Sequence, residues 1–144
     1  MTELDQYKDT VYKIIGAAMT VHAELNWGLL EPIYNEALYI ELKEQNLHVE
    51  REKKLNCYYK QYELDKFYIT DLCVENDIII ELKSVSELGS VHRAQLFNYL
   101  RLTRKPLGIL INFGHPTLQC ERYAYLEEFN QCVLLDRNLK RIND

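Results

Sequence analysis

Leu107-Gly108-Ile109-Leu110-Ile111-Asn112-Phe113 is a short, nearly all-apolar run set between Lys105-Pro106 and Gly114-His115-Pro116. A strand of this kind is buried on both faces, so helices must lie above and below it. Ile78-Ile79-Ile80 repeats the signature and marks a central strand, not an exposed edge. The other elements follow from periodicity. Val11, Ile14, Ile15, Ala18, Met19 and Leu25 have helical spacing from Thr2 to about Leu25, and Thr2 with Asp5 resembles a capping pair. Asn26-Trp27-Gly28 interrupts that pattern. A second helix then starts near Leu30, with Pro32 in its first turn, and carries Ile33, Tyr34, Ala37, Leu38 and Leu42 to an end near Asn46. Alternation rich in Tyr, Ile and Val predicts strands near 48–59, 62–74 and 78–84, with turns at Lys60-Gln61 and Glu75-Asn76-Asp77. A third helix starts at Ser86 or Ser90 and runs to about Arg104, and an exposed strand covers Leu118 to Tyr125. Cys132-Val133-Leu134-Leu135 reads as an edge strand or an oligomer contact. The order α-α-β-β-β-α-β-β predicts an α/β single domain, 1–144, with a central mixed sheet flanked by helices. Its parts are a helical segment 3–46, the sheet with the third helix 47–125, and a tail 126–144.

At 144 residues, 47% of them hydrophobic, the chain can build one real core. Lys plus Arg number 17 against 22 for Asp plus Glu, a formal charge of −5. That balance argues against a histone-like or basic-arm DNA binder. It leaves open an enzyme whose acidic site acts on DNA through a metal. Local positive charge stands at Arg51, Lys53, Lys54 and Lys60, and again at Arg93, Arg101, Arg104 and Lys105. Either group is a phosphate contact or a solvated face. Cys57, Cys73, Cys120 and Cys132 form no CxxC pair, and His22, His48, His92 and His115 lack metal-ligand spacing. The start, MTELDQYKD, is acidic and polar, unlike a signal peptide, and no apolar run approaches the roughly 18 residues of a membrane helix. The expectation is a reduced, cytoplasmic protein with no membrane contact.

The most informative stretch runs from Asp71 to Lys83. Residues two apart in a strand share a face, so Glu81 and Lys83 point the same way, about 6–7 Å apart. With Glu75-Asn76-Asp77 as a three-residue loop, Val74 faces Ile78 and Asp71 falls opposite Glu81, with Cβ atoms about 4.5–5.5 Å apart. A two-residue loop would set Asp71 opposite Leu82 instead. Two facing carboxylates are stable if one is protonated or a cation sits between them. The other reading is a solvated polar face with a salt bridge from Lys83.

Asp71 with Glu81-Leu82-Lys83 resembles the Asp…(Asp/Glu)-x-Lys signature of the PD-(D/E)xK nuclease superfamily, and the element order resembles its restriction-endonuclease-like core. Gly28-Leu29-Leu30-Glu31-Pro32-Ile33-Tyr34 looks like the motif that names the GxxExxY branch. Tyr68-Ile69-Thr70-Asp71, Ala94-Gln95-Leu96-Phe97-Asn98-Tyr99-Leu100 and Gly108-Ile109-Leu110-Ile111-Asn112-Phe113-Gly114 extend the likeness over about residues 12 to 125. Thr70 stands where the superfamily often has proline. The resemblance implies a nuclease acting on DNA. Asp71, Glu81 and the Leu82 carbonyl would hold Mg²⁺ (or Mn²⁺), and Lys83 would orient the attacking water. Glu31 would be a further acid at the metal, although a helix-dipole role worth roughly 0.3–1 kcal/mol also suits its first-turn position. Tyr34, three residues on, reads as a packing or orienting residue. Leu88, His92, Gln95, Tyr99 and Leu102 fall on one side of the third helix. Gln95 there is either a buried, backbone-satisfied glutamine or the residue that reaches phosphate or water, and Tyr99 and Arg93 are expected at the substrate. A domain this small often needs a homodimer to grip duplex DNA. The alternative is a catalytically inactive nuclease-fold module that binds nucleic acid or a protein partner.

Overall fold

The computed structural model describes residues 3–142; Thr2 of the expected capping pair lies outside them. Glu3–Tyr7 forms a 3-10 turn, so the first α-helix, α1 (Lys8–Leu25), begins later than periodicity suggested. It is followed by α2 (Glu31–Glu44), β1 (Val49–Tyr59), β2 (Tyr62–Val74), β3 (Ile78–Lys83), α3 (Ser90–Thr103), β4 (Leu107–Asn112), β5 (Gln119–Leu126) and β6 (Gln131–Leu135). The six strands form one sheet in chain order. All neighbours are antiparallel except β3 and β4, which run parallel in register from Ile78↔Leu107 to Lys83↔Asn112. The tail therefore resolves as an edge strand on β5.

Parallel β3 and β4 need a crossover, which α3 supplies, and the all-apolar runs are buried because helices cover both faces. Ile78, Ile80, Ile109 and Ile111 pack with Val11, Ile14, Ala18, Leu38 and Leu42 on the face under α1 and α2. Ile79 and Leu110 pack with Leu96, Leu100 and Leu55 under α3. Full burial of each such side chain contributes about 1.5–3 kcal/mol. Gly108 lets α3 sit close, since an added methyl there would lie 3.0 Å from Leu96 and Leu100 methyls. The stripe that packs on α3 is Leu96, Leu100 and Thr103, one position round from the Gln95–Tyr99–Leu102 side, so Gln95 is exposed. The neighbouring sheet is too apolar to accept a glutamine without a partner, and the helix turns its leucines inward instead. Met19 and Ile33, expected on inner stripes, are likewise exposed.

Candidate active site

The β2–β3 turn holds Glu75 and Asn76 at φ 52° and 62°, and β2 pairs with β3 as Val74↔Ile78, Cys73↔Ile79 and Leu72↔Ile80. That is the register of a three-residue loop. The pairing ends there, however, and Asp71 does not share a face with Glu81. Glu52, across β1 from Asp71, has φ 48°, and the β1–β2 ladder skips that position between Arg51↔Leu72 and Lys53↔Thr70. The local break turns two consecutive residues, Asp71 and Leu72, toward the α2 side. An Asp71 Oδ2 accepts the Leu82 N–H at 2.8 Å. Asp71 and Leu82 line a pocket of about 120 Å³ with Glu31, Pro32, Asn35, Arg51 and Glu52. Glu81 follows Ile79 onto the α3 side. There it accepts hydrogen bonds from the Tyr68 hydroxyl and, at 3.2 Å, from Thr70 Oγ1.

Only 7% of Glu81 is exposed, and burial pushes its carboxyl up to about 8 against the pull of Lys83 and the Asp71 backbone. Asp71 is raised as well, first by burial; the Leu82 N–H opposes the shift, while Glu31 and Glu52 add to it. Glu31 raises both carboxyls and Lys83 lowers both, so the four groups share one electrostatic environment. These are hard oxygen donors, held poor in charge compensation, and they suit Mg²⁺ or Mn²⁺. Among the described residues, no three His, Cys, Asp or Glu side chains converge on one ion.

Glu31 opens α2 at the pocket rim, and the loop before it is built by Tyr34. The Tyr34 hydroxyl accepts the Leu29 N–H at 3.0 Å and donates to the Asn26 carbonyl at 2.7 Å. Its ring stacks on Phe113 at 4.4 Å. Gly28 takes φ +90°, which a side chain rarely tolerates, and its N–H donates to the Phe113 carbonyl at 3.3 Å. The Ser84 hydroxyl donates to the Leu29 carbonyl. The Gly28, Glu31 and Tyr34 spacing thus places an acid over the pocket, with Tyr34 as the orienting residue.

On the other face, Lys83 Nζ donates to Gln95 Oε1 at 3.0 Å instead of pairing with Glu81. Gln95 Nε2 donates to the Tyr99 hydroxyl at 2.9 Å, and Tyr99 stacks on Tyr68 with ring centroids 3.5 Å apart. Tyr68 returns to Glu81, so one chain of contacts runs from Glu81 through Tyr68, Tyr99 and Gln95 to Lys83. Arg93, expected at the substrate, gives Nε and Nη2 to Glu121 at 2.7 and 2.8 Å. A bidentate guanidinium–carboxylate pair of this geometry is strong and occupies the fork within the fold.

Sequence reasoning missed Asn35 and Glu52 and treated Arg51 only as local charge. Asn35 Nδ2 donates to the Asp71 carbonyl at 3.3 Å, and Arg51 Nε donates to Asn35 Oδ1 at 3.0 Å. The signals were present. Asn35 lies one helical turn after Glu31, and the β1–β2 ladder carried past Lys53↔Thr70 brings Arg51 and Glu52 to Leu72 and Asp71. His22 contacts the His115 carbonyl at 3.0 Å, and His92 Nδ1 accepts the Gly89 N–H at 3.0 Å.

A sequence model of the PD-(D/E)XK nuclease superfamily matches residues 8–135. No curated protein matches the chain, and no solved structure does.

Proposed function

Because the chain belongs to the PD-(D/E)XK nuclease superfamily, whose domains act on nucleic acid, we propose that it is a cytoplasmic, divalent-metal-dependent nuclease of the GxxExxY branch that hydrolyses DNA phosphodiester bonds. The observation that carries the reading is the Asp71 carboxylate bonded to the Leu82 N–H in a pocket rimmed by Glu31, one residue from buried Glu81. Asp71 and the Leu82 carbonyl would hold Mg²⁺ or Mn²⁺, with Glu31 adding a carboxylate directly or through water, and Glu81 would join them by leaving Tyr68 and Thr70 for the Asp71 side. The ion supplies charge stabilisation to the phosphate and acidity to the attacking water. Lys83 offers its ammonium to that water or to the charge developing on phosphorus, and Gln95, bonded to it, orients the same groups. Tyr99 lies beside the scissile strand. Arg93 would reach a phosphate only by giving up its bidentate pair with Glu121. A second copy completes the grip on duplex DNA.

The test is cleavage of labelled linear, nicked, branched and single-stranded DNA with Mg²⁺ or Mn²⁺. Cleavage abolished in Asp71→Ala, Glu81→Ala and Lys83→Ala is expected, and no cleavage of any form by the wild type overturns the reading. One observation favours a second reading, a binding module without turnover: Glu81 is committed to Tyr68 and Thr70, away from the Asp71 pocket. Calorimetric titration with Mn²⁺ separates the two. Binding that disappears in Asp71→Asn supports the nuclease, and no heat of binding supports the module.

A further inference from the structure

The β1–β2 hairpin runs well past the sheet, because β2 is paired with β3 only over Leu72–Val74. Between the break at Asp71 and a second register shift beyond Asn56↔Phe67, β2 alternates regularly. Tyr68 and Thr70 turn to Glu81, whereas Ile69 and Phe67 take the same side as Asp71. They are 52% and 49% exposed, and their β1 partners are Lys54 and Asn56. Lys54 Nζ lies 4.2 Å from the Phe67 ring centroid. Farther out, Tyr59 faces Tyr62 at the tip, both mostly exposed, with Lys60 Nζ 5.4 Å from the Tyr59 ring. Arg104 lies over Tyr58 in the same way.

Large apolar side chains left in water on a strand that begins at the pocket need an occupant. The local charge indicates which. Against Glu63 and Asp65, the segment from Lys54 to Ile69 carries Lys54, Lys60 and Lys66, a net positive arm on a chain of net charge −5. Exposed rings beside flexible cations match unpaired nucleotides, whose bases stack and whose phosphates take the ammonium groups. Duplex DNA hides its base faces and offers these rings little.

We propose that the Asp71 side of the hairpin, through Ile69, Phe67 and Lys54, is a track for a single-stranded segment of the substrate leading to the pocket. The inference rests on the nuclease reading for the identity of that strand. Phe67 lies four residues from Asp71, about 13 Å along the strand. That is about four nucleotides at helical rise. Substrates with a flap, overhang or gap would therefore be engaged before intact duplex.

The experiment measures fluorescence anisotropy of a short labelled single strand and of its duplex, using the full chain carrying Asp71→Asn in EDTA, so that no cleavage intrudes. The expected result is single-strand binding at least tenfold tighter than duplex. Phe67→Ala should weaken it about fivefold or more, and Phe67→Trp should restore it. Equal or tighter duplex binding overturns the proposal, as does unchanged affinity in Phe67→Ala. Sedimentation of the same variants covers the rival occupant: a dimer dissolved by Phe67→Ala, with single-strand affinity unmoved, assigns the face to a second copy. The outcomes are separable from the nuclease reading, since a wild type that cuts nothing ends that reading whether or not the track binds.

Discussion

The Tyr34 hydroxyl and ring together fasten the 26–30 loop to Phe113, and Glu31 inherits its position from that fastening. Tyr34→Phe removes one accepted and one donated hydrogen bond at a buried site, where each is worth on the order of 1 kcal/mol. The expected outcome is a stability loss of about 1–2 kcal/mol in urea titration, with cleavage reduced more than stability accounts for. Activity equal to wild type would limit Tyr34 to packing. Glu81 carries a pH dependence whose sign follows from its environment. Its carboxyl titrates near 8 in the folded chain and near 4.5 when unfolded, so the native state holds the proton more tightly. Its contribution is complete below about 4.5 and is lost as pH rises toward 8, at about 1.4 kcal/mol per pH unit. In EDTA, Tm should therefore fall from pH 5 to pH 8, and Glu81→Gln should flatten the slope. Parallel profiles for the two proteins would contradict the burial argument.

At the scale of elements, the ends of β3 and β4 are tied by a small polar knot. Asn112, fully buried, accepts from the Val85 and Gly114 N–H groups, both at 3.0 Å, and donates to the Val85 carbonyl and Gln119 Oε1, both at 2.9 Å. Gly114 sits against the Ser84–Val85 backbone so closely that no Cβ fits. The two glycines of this strand and turn predict different costs. At Gly108 the obstacles are leucine methyls that can give way, so Gly108→Ala should cost roughly 1–3 kcal/mol. At Gly114 the obstacle is backbone, so Gly114→Ala should cost more and displace the Lys83–Val85 segment. Thermal denaturation of both variants checks the order, and a milder Gly114→Ala would refute the backbone argument. Most element boundaries, though not the start of α1, were legible in the sequence because apolar period and turn residues agreed, from Pro32 in the first turn of α2 to Lys105-Pro106 after α3. The inner face of α3 was misread by one position, since Leu96 and Leu100 could be ranked above Gln95 and Tyr99 only by the Gly108 groove they fill.

Across the whole molecule, several basic residues are engaged inside the fold. Arg93 is taken by Glu121, Lys53 by Glu50 and Asn76, and Arg101 by Asn98 and Asn130. The hairpin lysines Lys54, Lys60 and Lys66 are the cations placed to displace counterions from a phosphate backbone. The dependence of log affinity on log salt should be shallow, with a slope magnitude below about 4. Anisotropy titrations at several NaCl concentrations measure it, and a steep slope would contradict this assignment of the cations. Among those residues no helix is long and apolar enough to cross a membrane.

The sequence alone determined the order of elements along the chain, the central place of β3 and β4 and the motif residues, because these follow from local period, turn chemistry and spacing. The choice of the three-residue β2–β3 register and the order of strands in the sheet came from the structure. Tertiary structure decided which way the motif's side chains face. A left-handed Glu52 on β1 turns Asp71 to the Glu31 pocket, while Tyr68 and Thr70 hold Glu81 on the opposite side. The reason is physical. Alternation assigns faces only while a ladder is unbroken, and a break is stabilised by contacts from residues far away in sequence, here Asn35, Arg51 and Leu82.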